Sequence, residues 1–281
     1  MISSRLFMWF QYMLPQHALS RLVLRATRVR TPWLKNALIR GFLKLYTIDM
    51  SEAAQTDPLG YGSFNEFFTR SLKADARAIA ADPRAIACPV DGTVSEAGQI
   101  VGDRLLQAKG RYYSLTELLA SRAWANDFEG GSFATLYLAP YNYHRVHMPL
   151  RGQLLETVFV PGSLFSVNAA TASLVPRLFA RNERVLILFD TAFGRVALIM
   201  VGALNVGSIA TVWAGDITPA AARTVSALPA SDVALDKGEE LGRFNMGSTV
   251  ILLFQRDRAC WHADLRAGAV VKLGQSLGIL E

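Results

Sequence analysis

Cysteine and histidine are scarce in this chain of 281 residues, which has two cysteines, Cys88 and Cys260, and four histidines. Cysteines this far apart match neither the ligand spacing of a zinc site nor a redox motif. They also give no disulfide framework of the kind that small secreted proteins use, which favours a cytoplasmic compartment.

Long apolar runs are absent as well, although 51% of the residues are hydrophobic. A membrane-spanning helix needs about 18 or more consecutive apolar residues, and no run reaches that length. Residues 6–14 follow Arg5 in the manner of a short signal peptide, but Gln11 interrupts them and basic residues continue further on. We therefore expect neither a spanning helix nor a cleaved signal.

Acidic residues are missing before Asp49, whereas basic residues are frequent there and alternate with large apolar ones. Leu34, Leu38, Phe42 and Leu45 recur at helical spacing, opposite basic residues that include Lys35. Basic amphipathic helices with Trp and Phe lie in the membrane interface. We predict that residues 1–60 form a basic, amphipathic, membrane-associated helical segment, with breaks near Pro15 and Pro32.

Two other interpretations of this segment remain open. The helices could pack on the core with a solvated basic face, or the segment could be a nucleic-acid-binding arm. The net charge of +6 indicates an anionic partner in either case. The many large apolar residues favour an anionic membrane surface over nucleic acid, so we expect a peripheral location on the cytoplasmic side of the cell membrane.

Beyond Cys88 the sequence predicts mainly β structure, since short apolar runs alternate with Gly, Pro and Asp. The predicted strands are 133–138, 154–160, 185–189, 196–201, 208–212 and 249–254. Helices are predicted at 64–72, 115–123 and 173–180. The predicted fold class is α+β: N-terminal amphipathic helices, then a mainly antiparallel β barrel or sandwich with short helical insertions. We predict that residues 61–281 form the β-rich domain.

The pair Gly247-Ser248 precedes the apolar run 250–254 and is a candidate for self-cleavage. Glycine leaves its own carbonyl open to approach and tolerates strained backbone. Attack by the Ser248 hydroxyl on that carbonyl gives an ester, and β-elimination then splits the chain into residues 1–247 and 248–281. The new N-terminal serine becomes a pyruvoyl group, an electron sink suited to amino-acid decarboxylation. The other interpretation is a plain turn that enters a buried strand.

A base for Ser248 is offered by His144 and His147, which follow the predicted strand 133–138. A third group should orient that base, and Asp91, at a turn before a strand, is the candidate. The two histidines could instead be zinc ligands, but too few other ligands accompany them, so we expect no metal. Gly-x-Ser-x-Gly and glycine-rich phosphate loops are absent, which disfavours a conventional hydrolase and a nucleotide-binding protein.

Five segments together match one known family in that family's order: Phe64-Asn65-Glu66-Phe67-Phe68-Thr69-Arg70, Pro89-Val90-Asp91-Gly92, Tyr143-His144-Arg145-Val146-His147-Met148-Pro149, Pro161-Gly162-Ser163-Leu164-Phe165-Ser166-Val167-Asn168 and Phe244-Asn245-Met246-Gly247-Ser248-Thr249. In these segments the chain resembles the pyruvoyl-dependent phosphatidylserine decarboxylases, with one departure, Met246 in place of the usual Leu. The resemblance implies conversion of phosphatidylserine to phosphatidylethanolamine. It also implies a heterodimer of the two cleavage products, with pairing of two heterodimers as an option.

The resemblance also implies roles for individual residues. Asp91 would hold His147, and His147 would take the Ser248 proton during self-cleavage. His144 is then the candidate that reprotonates the substrate carbon after CO2 leaves. Tyr137 and Ser166 are candidates for contact with the lipid headgroup.

Two further functions remain open. The chain could be a serine hydrolase or autoprotease that uses Ser248, His147 and Asp91 without a pyruvoyl group. It could also be a membrane-docked β module whose Gly-Ser-Thr is only a turn.

Overall fold

The computed structural model describes residues 10–108, 110–204, 208–217, 225–227 and 232–281. Residues 10–13 are helical, and a 3-10 turn covers Pro58–Gly60. The further helices are α1 (Gln16–Thr27), α2 (Pro32–Leu45), α3 (Phe64–Phe68), α4 (Leu115–Leu119), α5 (Arg122–Phe128), α6 (Ala169–Leu174) and α7 (Leu178–Arg181). The predicted breaks near Pro15 and Pro32 are therefore confirmed, since proline suits the start of a helix but not its interior.

The strands follow from residue 85 onward. They are β1 (Ala85–Ala87), β2 (Gly92–Gln99), β3 (Arg104–Ala108), β4 (Arg111–Ser114), β5 (Ser132–Tyr137), β6 (Arg145–His147), β7 (Gly152–Val160), β8 (Arg184–Thr191), β9 (Gly194–Val201), β10 (Ile209–Thr211), β11 (Gly215–Asp216), β12 (Ser226–Ala227), β13 (Ala234–Leu235), β14 (Glu240–Phe244), β15 (Thr249–Phe254), β16 (Ala259–Trp261), β17 (Val270–Val271) and β18 (Ser276–Leu280).

One large antiparallel sheet organises the core, in the order β12-β7-β8-β9-β15-β5-β2-β17, with β13 also paired to β7. Smaller sheets have the orders β11-β10-β14-β6 and β1-β18-β16, and β3 pairs with β4. The predicted α+β class with a mainly antiparallel sheet is confirmed. Of the two predicted forms the packed sheets favour the sandwich, since the large sheet does not close within the residues that the structure describes.

Strand β15 lies in the middle of the large sheet, and its bounds agree with the sequence prediction. All six of its residues are buried, and it pairs along its full length with β5 on one side and β9 on the other. A strand with neighbours on both edges and covered faces requires an unbroken apolar sequence. Thr249, its first residue, lies opposite Tyr137 and Val201, which fixes the position of Ser248 just outside the sheet.

Helix α2 packs on α3 through an apolar cluster that is separate from the main core. Ile39, Phe64, Phe67 and Phe68 are buried there, with Phe42 packed against them. The aromatic rings of Phe42 and Phe64 meet edge to face, 5.3 Å apart. This cluster fastens the N-terminal helices to the start of the β-rich region.

The sequence prediction placed Lys35 on the polar side of α2, and this was wrong. Lys35 is buried, and its Nζ donates to the Leu59 carbonyl and to Asn36 Oδ1, both at 2.8 Å. The face of α2 that packs on α3 is centred on Ile39, four residues on, so Lys35 lies against the protein. Leu45, predicted on the apolar face, is 77% exposed.

Helix α1 and the residues before it also lie against the β-rich region. Gln16 accepts a hydrogen bond from the Leu164 amide and Gln11 accepts one from the Ser166 amide, each at 2.7 Å. Arg28 forms an ion pair with Asp216 at 2.6 Å. No helix in the described part of the chain is long and apolar enough to cross a membrane.

Candidate active site

Ser248 sits at the entrance of β15 and is fully buried. Its carbonyl accepts a hydrogen bond from the Leu138 amide at 2.8 Å, which continues the β15–β5 pairing by one residue. Its hydroxyl has no hydrogen-bond partner within the described structure. The hydroxyls of Ser20, Thr135 and Thr249 are also buried without a partner there. It is therefore the position of Ser248 directly after Gly247 that makes its hydroxyl the candidate nucleophile.

Gly247, the residue before it, is confined on two sides. A Cβ atom added there would lie 3.2 Å from the Leu138 carbonyl oxygen and 3.3 Å from His144 Cε1. Both contacts are tighter than side chains normally make, which explains why glycine stands at this position. They also show that the His144 ring lies directly against the Gly247-Ser248 segment.

His144 lies in the loop between β5 and β6 and is completely buried. Its ring stacks on Phe68 with centroids 4.1 Å apart, and its Nε2 donates to the Pro140 carbonyl at 3.2 Å. Burial lowers the pKa of His144 to about 3, so the ring is neutral near pH 7. With the proton on Nε2, the unpartnered Nδ1 carries a free lone pair.

His147 is the last residue of β6, and both of its ring nitrogens are engaged. Nδ1 donates to the Gly238 carbonyl at 2.8 Å, and Nε2 accepts from the Tyr143 hydroxyl at 3.0 Å. Burial lowers the pKa of His147, while Glu240 and Asp91 act in the opposite direction. Its backbone amide donates to the Pro89 carbonyl, two residues before Asp91.

Asp91 lies at the turn that precedes β2, as the sequence predicted, but its carboxylate is held by Arg77. The Arg77 Nε and Nη2 donate to the two carboxylate oxygens at 3.0 and 2.5 Å, and the Leu273 amide donates to Oδ1 at 2.8 Å. These bonds to Asp91 raise the pKa of Arg77. The backbone of His147 is therefore bonded two residues before Asp91. The Asp91 carboxylate itself is bound by Arg77.

A cavity of about 300 Å³ opens onto the Gly247-Ser248 segment. Tyr137 and Ser166 both line it, together with Gly247 and Met246, so the structure brings together the two residues predicted to meet a headgroup. Phe42 and Tyr46, from the end of α2 and just beyond, form another wall. The N-terminal helices and the β core therefore build this catalytic cavity jointly.

The family resemblance implies a pyruvoyl group at position 248, and the residues present fit it. Ser248 provides the atoms, its free hydroxyl faces no competing partner, and a neutral imidazole with a free nitrogen lies against the preceding residue. The adjoining cavity has room for a small polar headgroup. Among the described residues, no group of three or more His, Cys, Asp or Glu side chains could hold a metal ion.

Sequence reasoning missed the role of two residues. Phe68 stacks on His144, and only its place in the segment 64–70 gave a signal. Arg77, which binds Asp91, gave no signal at all, because an arginine in a polar stretch looks like any solvated residue before tertiary contacts are known.

Comparison with known proteins identifies the family. The family model for phosphatidylserine decarboxylase matches residues 64–279, and a second model, described as PSD, matches residues 6–47. A phosphatidylserine decarboxylase proenzyme of Methylococcus capsulatus is 52% identical over 98% of this chain and 96% of its own length. One of Ectopseudomonas mendocina is 52% identical over 99% of each chain. One of Bordetella bronchiseptica is 51% identical over 98% of this chain and 94% of its own. The resemblance predicted from the sequence is thus confirmed, and the chain belongs to the phosphatidylserine decarboxylase family.

Proposed function

We propose that this chain removes the carboxyl group of phosphatidylserine as CO2 and leaves phosphatidylethanolamine, using a pyruvoyl group made by self-cleavage between Gly247 and Ser248. Relatives that match the whole chain are named proenzymes, a name for proteins that require processing. One observation carries the proposal: the buried, unpartnered Ser248 hydroxyl lies in the segment that His144 and the catalytic cavity flank.

Self-cleavage begins when the Ser248 hydroxyl loses its proton and bonds to the Gly247 carbonyl carbon. The peptide C–N bond then breaks, the Ser248 nitrogen gains a proton, and an ester joins the two residues. Removal of the Ser248 α-proton expels the ester oxygen as the carboxylate of Gly247. Hydrolysis of the dehydroalanine that remains releases ammonia and leaves the pyruvoyl group at the start of the second chain.

The base for the first step is assigned differently by the resemblance and by the geometry. The resemblance implies His147, but both of its ring nitrogens are engaged by Gly238 and Tyr143. His144 is the other candidate, because its ring lies against Gly247 and its Nδ1 is free. A shift of the ring must bring Nδ1 to the Ser248 hydroxyl, since neither atom has a hydrogen-bond partner among the described residues. We propose that His144 works at the reacting atoms, and that His147 and Asp91 support the site through the loops they hold.

The pyruvoyl group would supply an electrophilic carbonyl for the substrate amine and an electron sink for the loss of CO2. His144, neutral through burial, accepts a proton from the amine as it bonds and returns a proton to the substrate carbon that has lost CO2. The Tyr137 hydroxyl and Ser166 line the same cavity and contact the headgroup. The stacked Phe68 keeps the His144 ring in place.

The two cleavage products stay together as a heterodimer without a covalent link. After the cut, β15 begins the short chain but remains paired with β5 and β9 on both edges. Strand β18 of the short chain also pairs with β1 of the long one. Pairing of two heterodimers is a further proposal that rests on the resemblance alone.

We also propose that the protein binds the cytoplasmic face of an anionic membrane through its N-terminal helices. Leu22, Trp33 and Leu45 are 64%, 73% and 77% exposed on α1 and α2. Such exposed apolar residues among basic ones are typical of interfacial helices. Because α2 also walls the catalytic cavity, a lipid headgroup at the surface would lie near the site.

Intact-mass analysis with CO2 release from phosphatidylserine tests the function. The purified protein should give two chains, 1–247 and a 248–281 chain with a pyruvoyl N-terminus, and should release CO2. Ser248→Ala should give one uncut chain without activity, and Ser173→Ala, which alters an exposed serine, should behave as the parent. Two chains with a free serine N-terminus would instead identify an autoprotease, and one uncut parent chain would reject the proposal.

A further inference from the structure

A second cavity, of about 670 Å³, lies beside the catalytic cavity and has no role in the chemistry described above. Asn245 lines this second cavity, whereas its neighbours Met246 and Gly247 line the catalytic one. Helix α3 is shared in the same way, since Asn65 faces the second cavity and Phe68 the catalytic one. The two cavities are therefore separated by one short stretch of backbone.

Five arginines line the second cavity, and we call it the arginine cavity: Arg28, Arg30, Arg70, Arg145 and Arg243. Three of them have carboxylate partners. Arg28 pairs with Asp216, Arg30 with Glu66 and Arg145 with Glu240, each at 2.6 Å. In the described part of the chain, no ion pair is formed by Arg70 or Arg243, so the cavity has an excess of positive charge.

Arg70 is the most informative of these residues, because it is only 6% exposed. Its Nε is buried without a hydrogen-bond partner, and the Phe67 ring lies 5.9 Å from its guanidinium carbon. A guanidinium stays charged at any ordinary pH, so it cannot avoid the cost of burial by losing a proton. An unpaired buried cation that lines a cavity calls for an anion in that cavity.

Arg243 and Arg145 supply an independent observation. They lie directly opposite each other on the paired strands β14 and β6. Like charges at directly opposed positions destabilise a sheet, and Glu240 engages Arg145 while no carboxylate in the described structure engages Arg243. An anion bound between the two guanidinium groups would remove this repulsion.

We propose that the arginine cavity binds a phosphate group, as an ester or the free ion, at a site distinct from the catalytic one. Guanidinium groups match tetrahedral phosphate oxygens through paired hydrogen bonds, and several converging arginines favour a doubly charged or diester oxyanion over a single carboxylate. The Asn65 amide donates to the Asn245 carbonyl at 3.0 Å, so these two polar residues of the lining are held in place before an anion enters.

Two sources could supply that phosphate: a phospholipid headgroup or a soluble phosphate. Arg28 and Arg30 both lie in the connection between α1 and α2, and exposed Trp33 follows three residues after Arg30. A lipid headgroup would therefore reach the cavity from the same surface that we propose to meet the membrane. A soluble phosphate would need no membrane, and this difference separates the two sources experimentally.

The first measurement titrates inorganic phosphate into the processed protein and follows thermal stability, with sodium chloride at matched ionic strength as the reference. Saturable stabilisation by phosphate alone is expected. Arg243→Gln and Arg70→Lys should each weaken that affinity about tenfold or more, since each removes charge-assisted hydrogen bonds. Arg266→Gln, which neutralises an exposed arginine on a distant turn, should leave it unchanged.

The second measurement is co-sedimentation with phosphatidylcholine vesicles that contain or lack phosphatidylglycerol. If the occupant is a lipid headgroup, Arg243→Gln should reduce binding to the anionic vesicles more than Arg266→Gln, although both remove one charge. Equal vesicle binding with a weakened response to inorganic phosphate assigns the site to soluble phosphate. If Arg70→Lys fails to fold, Arg243→Gln alone decides.

No difference between Arg243→Gln and Arg266→Gln in either measurement would overturn the proposal. Both readouts measure binding, and chain cleavage on a gel is recorded separately for every variant. Binding to the arginine cavity can therefore be judged even if the decarboxylase assignment fails. The decarboxylase assignment can likewise be judged even if the cavity binds no phosphate.

Discussion

Strand β15 and the N-terminal helix α2 both carry several large apolar residues but lie in opposite environments. Every residue of β15 is buried between two partner strands. Helix α2 buries one face against α3 and leaves Trp33 and Leu45 mostly exposed. Backbone pairing on both edges makes β15 a fixed support for Ser248, whereas α2 keeps apolar area free for another apolar partner. The apolar residues of β15 therefore position Ser248, whereas those on the exposed side of α2 are left uncovered in the described structure.

The two regions meet at the catalytic cavity. Gly247 comes from the segment before β15, while Phe42 and Tyr46 come from α2 and the residue that follows it. The loop around Ser166 is also held by Gln11, which lies before α1. Residues of the N-terminal helices and of the β core therefore line the same cavity.

If the reaction takes place in the β core, replacing His144 or His147 should have the largest effect of all the changes described below. Proton transfer by a positioned histidine contributes about 10²–10⁴-fold, so His144→Ala should slow CO2 release by that factor. If His144 is also the processing base, the variant should remain one uncut chain on a gel. His147→Ala should then still cleave, because its ring is engaged by Gly238 and Tyr143.

The opposite pattern on the gel, with His147→Ala uncut and His144→Ala cut, would assign processing to His147 and leave His144 to turnover alone. A His144→Ala protein that cleaves and decarboxylates like the parent would remove His144 from the site altogether.

The second prediction concerns Asp91, whose side-chain contacts are structural. Asp91→Asn removes the charge that pairs with partly buried Arg77, and the cost should stay below the about 3–5 kcal/mol of breaking a fully buried pair. Glu52 still contacts Arg77, which reduces the cost further. Urea unfolding of the uncut Ser248→Ala protein with and without Asp91→Asn measures this cost.

Asp190→Asn, which neutralises an exposed carboxylate on β8, is the control and should have little effect. Unchanged stability in Asp91→Asn together with loss of cleavage in the Ser248 parent would show that Asp91 acts on the reaction and not on the fold.

The third prediction tests the surface side of the comparison. Replacing Leu22, Trp33 and Leu45 together by serine should weaken binding to anionic vesicles by at least about tenfold, because their exposed apolar area drives insertion into the interface. Vesicle co-sedimentation measures the change, and cleavage should continue since none of the three lies in the catalytic cavity.

Val270→Ser is the matched control, because Val270 is 75% exposed but lies on β17, away from the helices. Equal vesicle binding by the triple variant and this control would show that the three exposed residues do not bind the membrane. The proposed membrane role of the N-terminal helices would then be wrong.

The smallest effect is the pH dependence of stability in the core. Burial lowers the folded-state pKa of His144 from 6.5 to about 3. Between these values the unfolded chain binds a proton that the folded chain does not, so the free energy of unfolding falls as the pH decreases from about 6.5. The slope from one such group is at most about 1.4 kcal/mol per pH unit.

Urea midpoints of the Ser248→Ala protein at pH 7 and pH 5 measure this slope. In the same background His144→Gln should show a shallower dependence of the unfolding free energy on pH. The same dependence in His144→Gln and its parent would mean that His144 does not titrate as its burial requires.

Much of this arrangement could be predicted because local pattern and chemistry agree. The run 250–254 is apolar without interruption, with β-branched Thr249 before it and polar Gln255 after it, so both the strand and its bounds were predictable. Proline positions gave the breaks between the helices. Gly-Ser before that strand, with two histidines and an acid in the family's order, indicated a self-cleaving decarboxylase, since such chemistry requires those residue types.

The partners of those residues could not be predicted in the same way. The chain does not state that Arg77 binds Asp91 or that Tyr143 and Gly238 occupy both nitrogens of His147. Lys35 shows the same limit, because helical spacing fixes which residues share a face but not which face meets the protein.

By itself, then, the sequence indicated the family, through residues in the family's order, and the β-rich core, through local spacing. It also located the Gly247-Ser248 bond at which we propose cleavage. Only the tertiary structure decided that His144 is the histidine against Gly247, that α2 walls the catalytic cavity and that Arg70 is buried without a partner. These facts depend on contacts between residues far apart in the chain, and such contacts are fixed by how the whole core packs.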